Sequence, residues 1–171
     1  MTDLMRLYGE AAGLAGQAPP VETWHPPFCG DIDMHIRQDG VWLYNGTPIA
    51  RPAMVQLFAR ILRKDGDAYF LVTPAEKVGI TVEDVPFIAV EMTDESGVLC
   101  FRTDVGDVVR ASGDHALRFD SEAGFRPYLH VRHGLEARLS RQLAQDLAGM
   151  AQKDENGLYV RSGEAVFRLP L

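Results

Sequence analysis

Two stretches of this chain carry the same order of signals. Residues 41–80 read as a hairpin, one amphipathic helix and a second hairpin, and the order returns at residues 129–168, some 88–89 positions on. The helices are predicted at about Arg51–Arg63 and Ser140–Gln152. In the first, Met54, Phe58, Ile61 and Leu62 recur at helical spacing and share one face. At a shift of 89 their counterparts are Leu143, Leu147, Met150 and Ala151, again one face, while Leu57 maps onto Asp146 and narrows the second stripe. After the helices Asp65 meets Asp154, and Ala68–Thr73 meets Gly157–Ser162, both strand-like. At a shift of 88, Gly46 meets Gly134, Glu76 meets Glu164 and Val78 meets Val166. Two units do not make a solenoid. The pattern predicts two similar halves or two facing domains, an N-terminal one over residues 1–83 and a C-terminal one over residues 84–171.

Turn chemistry fills in the rest. Met1–Leu14 reads as an amphipathic helix with Leu4, Leu7, Tyr8, Ala11 and Leu14 on one side. Gly16–Pro27 holds Pro19, Pro20, Pro26 and Pro27 and reads as a linker. Ile32–Arg37 and Val41–Asn45 are strand-like, joined through Asp39-Gly40, a hairpin signal. Asn45-Gly46, Glu95-Ser96-Gly97, Asn156-Gly157 and Ser162-Gly163 are further turns. Lys77–Val82, Pro86–Thr93, Val98–Thr103, Val108–Arg110, His115–Phe119, Tyr128–Arg132 and Ala165–Leu169 complete the strands. Pro52 suits the first turn of its helix, and Ser140 is a natural N-cap. Strands in hairpins without strict βαβ alternation predict an α+β fold with mostly antiparallel sheets and an N-terminal helix.

Charge and cysteine usage exclude several classes. Seventeen basic against 24 acidic residues give a net charge of −7. Non-specific nucleic-acid binding and attraction to an anionic membrane surface both need the opposite balance. The two cysteines, Cys29 and Cys100, lack metal-ligand spacing and are too few for a secreted disulfide scaffold. Asp3, Arg6 and Glu10 interrupt the first helix, so it does not read as a signal peptide. No segment approaches the ~20 apolar residues of a membrane span. The expectation is a soluble, cytoplasmic protein. Neither cofactor nor oligomeric state can be read from the chain.

Few residues suggest chemistry. Asp31, Asp33 and His35 alternate along one strand, so their side chains share a sheet face. Two carboxylates and an imidazole can hold a divalent metal or act as acid and base. The same alternation suits a solvated face opposite Ile32, Met34 and Ile36. Arg51 and Arg141 each open a helix, where a cation opposes the dipole at a cost of about 0.3–1 kcal/mol. Such a residue invites a neighbouring carboxylate or a bound anion. Thr73-Pro74-Ala75-Glu76-Lys77 resembles a capping box, but strand residues resume at Val78, so a tight hairpin loop fits better. From its tip Glu76 and Lys77 could reach a ligand. His130, Arg132 and His133, with Arg126, Arg138 and Arg141 nearby, form the one locally basic stretch. It suits an acidic partner or a phosphorylated ligand, and equally it balances the acidic remainder. Nucleophile elbows, phosphate-binding glycine loops and zinc-protease motifs are absent.

Longer motifs carry a resemblance. Cys29-Gly30-Asp31-Ile32-Asp33 followed by Asp39-Gly40-Val41-Trp42-Leu43-Tyr44-Asn45-Gly46-Thr47-Pro48-Ile49-Ala50-Arg51 is similar to the bacterial family known as domain of unknown function 1285. So are Leu71-Val72-Thr73-Pro74-Ala75-Glu76-Lys77-Val78-Gly79-Ile80, Val82-Glu83-Asp84-Val85-Pro86-Phe87 and Tyr128-Leu129-His130-Val131-Arg132-His133-Gly134-Leu135. The match spans about residues 28–140. It implies an α+β protein built from repeated motifs, with a suggested role in signalling or regulation and no assigned substrate or catalytic residue. Asp104, after Phe101-Arg102-Thr103, departs from the Asn usual in that pattern.

The functional expectation is a non-catalytic ligand-sensing or regulatory module. A small anionic ligand would lie near Arg51, Thr73, Glu76, Lys77 or Arg132, where the repeats meet. A metal-dependent hydrolase using Asp31, Asp33 and His35, and a purely structural protein-interaction module, are the competing expectations.

Overall fold

Two-residue turns fix much of the strand pairing. Asn45-Gly46, Ser96-Gly97 and His133-Gly134 each place both central residues at positive φ (50° and 79°, 54° and 89°, 46° and 80°). That is the type I′ geometry, whose twist matches that of the flanking strands. The computed structural model describes residues 4–14, 18–122 and 124–170. The ends of two predicted segments, Met1–Asp3 of the first helix and Gly16 and Gln17 of the linker, lie outside the described residues. The chain divides into two compact units, Met1–Asp84 and Val85–Leu171. Among the described residues no helix is long and apolar enough to cross a membrane.

The first unit holds α1 (Leu4–Gly13), a 3-10 turn (Val21–Thr23), β1 (Phe28–Ile36), β2 (Trp42–Tyr44), β3 (Thr47–Pro48), α2 (Pro52–Arg60), β4 (Leu62–Asp65), β5 (Ala68–Val72) and β6 (Lys77–Val82). Its six-stranded sheet runs in the order β3-β2-β1-β6-β5-β4. All neighbours are antiparallel except the central pair β1 and β6. Met34, Ile36, Leu62, Leu71 and Val78 line the core under α2 and its Phe58. α1 packs on α2, burying Leu7 and Ala11, with Tyr8 edge-on to Phe58 at 6.3 Å.

The second unit holds β7 (Phe87–Glu95), β8 (Val98–Thr103), β9 (Val108–Arg110), β10 (Leu117–Asp120), β11 (Arg126–Arg132), β12 (Leu135–Leu139), α3 (Arg141–Gly149), β13 (Gln152–Asp154), β14 (Gly157–Ser162) and β15 (Ala165–Arg168). Its six-stranded sheet is ordered β10-β11-β12-β7-β8-β9, again with one parallel pair, β12 and β7, at the centre. β13-β14-β15 form a separate antiparallel sheet. Ser162 ties it to β8: its buried hydroxyl donates to the Ala111 carbonyl (2.7 Å) and accepts from the Leu99 N–H (2.9 Å). Asp104 joins the ends of β7 and β8, its Oδ1 accepting from the Ile88 N–H at 3.0 Å. An asparagine side-chain oxygen accepts in the same way, so the departure from the family pattern keeps this bond.

The fold is α+β with two related halves, and a hairpin, a helix and a second hairpin recur in each. The full sheet repeat differs from the segment match in the sequence. β1–β6 and β7–β12 share one wiring: three strands, a crossover, three strands, with the first and sixth paired in parallel. In the first unit α2 is the crossover. In the second the crossover is the loop between β9 and β10, and α3 follows the sixth strand. The strands after α2 therefore complete a six-stranded sheet, whereas those after α3 form their own. Both helices also end three residues earlier than predicted, at Arg60 and Gly149. The apolar period runs on through Ile61 and Leu62, but Leu62 pairs with Leu71 in β4, and the Ile61 carbonyl accepts from the Val72 N–H.

Candidate functional site

The residues singled out in the first unit are largely committed to one another. Thr73 is buried in the loop between β5 and β6, where its Oγ1 accepts from the N–H groups of Ala75 (3.3 Å) and Glu76 (3.2 Å). The loop is closed by its own threonine, as the capping-box spacing suggests, without a helix. Glu76 has a side chain 5% exposed and accepts from Arg6 Nη2 at 2.8 Å, holding α1 to the loop. Lys77 Nζ sits 2.8 Å from Asp65 Oδ2 and 4.0 Å over the Phe70 ring. Asp65 also takes a bidentate pair from Arg63 at 2.9 Å, and Arg63 donates to the carbonyls of Val21 and Trp24. The Arg63 bonds, then those of Lys77, hold the Asp65 carboxyl below the usual carboxylate range. Arg51 is the exposed N-cap of α2, with extended backbone and no capping bond from its side chain.

Asp31, Asp33 and His35 lie on the more exposed face of β1, opposite Ile32, Met34 and Ile36, with register shifts in its pairing to β6 between Phe28 and Asp31 and between Asp31 and His35. Asp31 lies over the backbone of Gly79, which leaves no room there for a Cβ. His35 Nε2 meets Glu83 Oε1 at 3.0 Å. Glu83 also accepts from the Gln38 N–H, and that bond above all lowers its carboxyl. Among the described residues no group of three or more His, Cys, Asp or Glu side chains is arranged to hold a metal ion.

In the second unit Arg132 is 2.7 Å from Asp107 Oδ1, with its guanidinium 5.1 Å from the Phe87 ring centre. His130 Nδ1 meets the Asp114 carbonyl at 3.0 Å, and its Nε2 accepts from the Gly134 N–H at 2.9 Å. A carbonyl cannot donate, so Nδ1 carries the proton, and His130 serves the β11–β12 turn.

The other end of the basic stretch is arranged differently. Arg126 opens β11 and Arg132 closes it, six residues and roughly 20 Å apart at ~3.3 Å per residue. β12 ends at Leu139, and Ser140 caps α3, its Oγ accepting from the Leu143 N–H at 3.3 Å. Leu143 and Leu147 turn into the core. Arg141, Ala144, Gln145 and Ala148 recur at helical spacing on a second stripe. This stripe and the adjacent strand ends enclose a groove of about 720 Å³. Pro127 and Leu139, both buried, line it together with Phe125, Ala144 and Ala148. Phe125 stacks on Phe119 at 5.5 Å. Three arginines from three elements enter it: Arg126 from β11, Arg138 from β12 and Arg141 from the first turn of α3. Among the described residues no acidic side chain lines it.

This is a cationic site, lined in part by apolar residues, in a chain of net charge −7. The sequence marks its three arginines as part of the basic stretch, yet of that stretch only Arg132 was placed in a candidate site. Ala144, Gln145 and Ala148 carried a signal too: they are small or polar residues on the stripe beside Leu143 and Leu147. That stripe borders a groove only because α3 lies against β12 and β7.

The comparisons agree with this architecture unit by unit. The family model described as domain of unknown function (DUF1285), N-terminal domain, matches residues 19–85, and that for the C-terminal domain matches residues 86–169. The crystal structure of a DUF1285 family protein from Silicibacter pomeroyi DSS-3 is 42% identical, with a TM-score of 0.86 over 95% of this chain and 93% of that one. A DUF1285 family protein from Shewanella baltica OS155 is 28% identical, with a TM-score of 0.57 over 68% of this chain and 90% of that one. No curated protein matches the chain. With family models on both units and a 42% identical structure spanning nearly the whole chain, this protein belongs to the DUF1285 family.

Proposed function

We propose that this protein is a non-catalytic ligand-sensing module that binds a small organic anion in the groove between α3 and the ends of β11 and β12. One observation carries the reading: among the described residues, Arg126, Arg138 and Arg141 and no acidic side chain line one groove together with the apolar Phe125, Pro127 and Leu139. A groove lined by cationic side chains favours an anionic ligand over a neutral or cationic one. About 720 Å³ suits a small molecule. Among the described residues the lining holds no serine, cysteine, histidine, lysine or acid to serve as nucleophile or general base. Binding without turnover is what such a set of groups performs.

The test is calorimetry of the full-length protein with small organic anions, phosphates and carboxylates, alongside Arg126→Ala and Arg141→Gln. Binding that weakens in both variants and with added salt supports the reading. If no anion binds, or if binding survives both substitutions unchanged, the groove is not the site.

A further inference from the structure

The imidazole of His130 is held at both nitrogens by backbone groups, whose roles cannot change. The Asp114 carbonyl only accepts, so Nδ1 carries the proton across 3.0 Å. The Gly134 N–H only donates, so Nε2 meets it at 2.9 Å with a lone pair. The ring that makes both bonds is therefore neutral. It closes the β11–β12 turn, where His133 holds φ at 46° and Gly134 at 80°. A non-glycine residue rarely takes that conformation, so the turn leans on the bonds that close it. His115 makes the reverse tie. Its Nδ1 donates to the His130 carbonyl at 3.2 Å, and the two rings stack with centres 5.9 Å apart and 27° between their planes. The loop before β10 and the turn after β11 are joined by two crossed imidazole bonds.

A second proton on His130 can go only to Nε2. That nitrogen then becomes a donor facing a donor, and the Gly134 bond is lost. The charged and titratable groups around the ring come from four directions. Asp114 and His115 lie in the loop before β10. Glu136 stands opposite on β12 and is held by Arg118 of β10 at 3.0 and 3.1 Å. Arg132 and His133 follow toward the turn, with Arg132 bound to Asp107 at 2.7 Å. We propose that His130 is a proton-operated latch: neutral, it holds the β11–β12 turn closed and tied to the loop before β10, and protonated at Nε2 it releases the turn. The latch stands apart from the arginine groove, which takes its residues from the other ends of β11 and β12.

The test is NMR of the full-length, 15N-labelled protein from about pH 8 to about pH 5, the interval in which imidazoles exchange their proton. The Ser96-Gly97 turn is an internal control. It has the same positive-φ geometry, but its Gly97 N–H donates to a carboxylate, Asp94 Oδ1, at 2.7 Å, and carboxylates ordinarily titrate below this interval. Imidazole spectra should show His130 with its proton on Nδ1 at the upper pH. On acidification, the hydrogen-exchange protection of the Gly134 amide should fall about tenfold relative to Gly97, the loss of one hydrogen bond. His130→Gln keeps an acceptor oxygen and does not titrate, so in it the two amides should track each other, with thermal melts as the folding control. In His115→Gln the loss at Gly134 should persist. A proton on Nε2 at the upper pH, or equal behaviour of the two amides in the wild type, overturns the latch. The same loss in His130→Gln, or its disappearance in His115→Gln, overturns His130 as the group that works it.

Discussion

Gly79 lies against the side chain of a neighbour. A Cβ there would fall on the carboxylate of Asp31, which covers the buried backbone of β6. Asp31 is exposed and can rotate away, so Gly79→Ala should destabilise by only about 1 kcal/mol. Adding Asp31→Ala should return much of that loss, a coupling of about 0.5–1 kcal/mol in a denaturation cycle. Additive effects would mean that the two do not meet. Asp154 makes a different case. Arg168 holds it bidentately at 2.7 and 2.8 Å, and these bonds lower its carboxyl from 3.8 to about 2. A carboxylate with a depressed folded-state value stabilises the fold above its ordinary range, and the contribution is lost as pH falls through about 2. Asp154→Asn should therefore melt lower than wild type at pH 7, with the two melting curves converging as the pH approaches 2.

At the scale of elements, two helices with matching stripes are buried in different ways. Phe58 and Leu147 are both 0% exposed. Phe58 packs under Tyr8 of α1, while Leu147 belongs to a helix lying on β7 and β12. Phe58→Ala should cost about 3–5 kcal/mol and Leu147→Ala about 2–5 kcal/mol, through lost transfer energy and a residual cavity. Denaturant midpoints measure both, and a change within ~0.5 kcal/mol, the scale of a surface substitution, would contradict the packing. Phe58 and Leu147 were legible as inward residues because helical periodicity is local. The helix ends were not. Ile61 and Leu62 continue the apolar period, and only the pairing of β4 with β5 takes their backbone out of the helix.

At the scale of the molecule, each unit has its own sheet and its own buried residues. Residues 85–171 expressed alone should unfold in one cooperative transition and retain the anion binding of the full chain, since all the described lining residues of the groove lie within them. A fragment that folds but does not bind would separate the groove from the function proposed for it. The sheet wiring itself was hidden in the sequence. β1 pairs with β6, and β7 with β12, across most of a unit, and no periodicity reports a partner so far along the chain.

The sequence by itself determined most element types, the turns at Asn45-Gly46 and Ser96-Gly97, and which faces are apolar. These follow from neighbours within a few residues. Tertiary structure decided what the polar residues are for. Glu76 and Lys77 look available along the chain, yet Arg6 and Asp65 take them from 70 and 12 positions away. Arg126, Arg138 and Arg141 read along the chain as part of one basic stretch, yet it is strand pairing and the seat of α3 that bring these three, and not Arg132, around one groove. Local geometry is encoded locally, whereas a site is a meeting of distant residues, and only the folded chain brings them together.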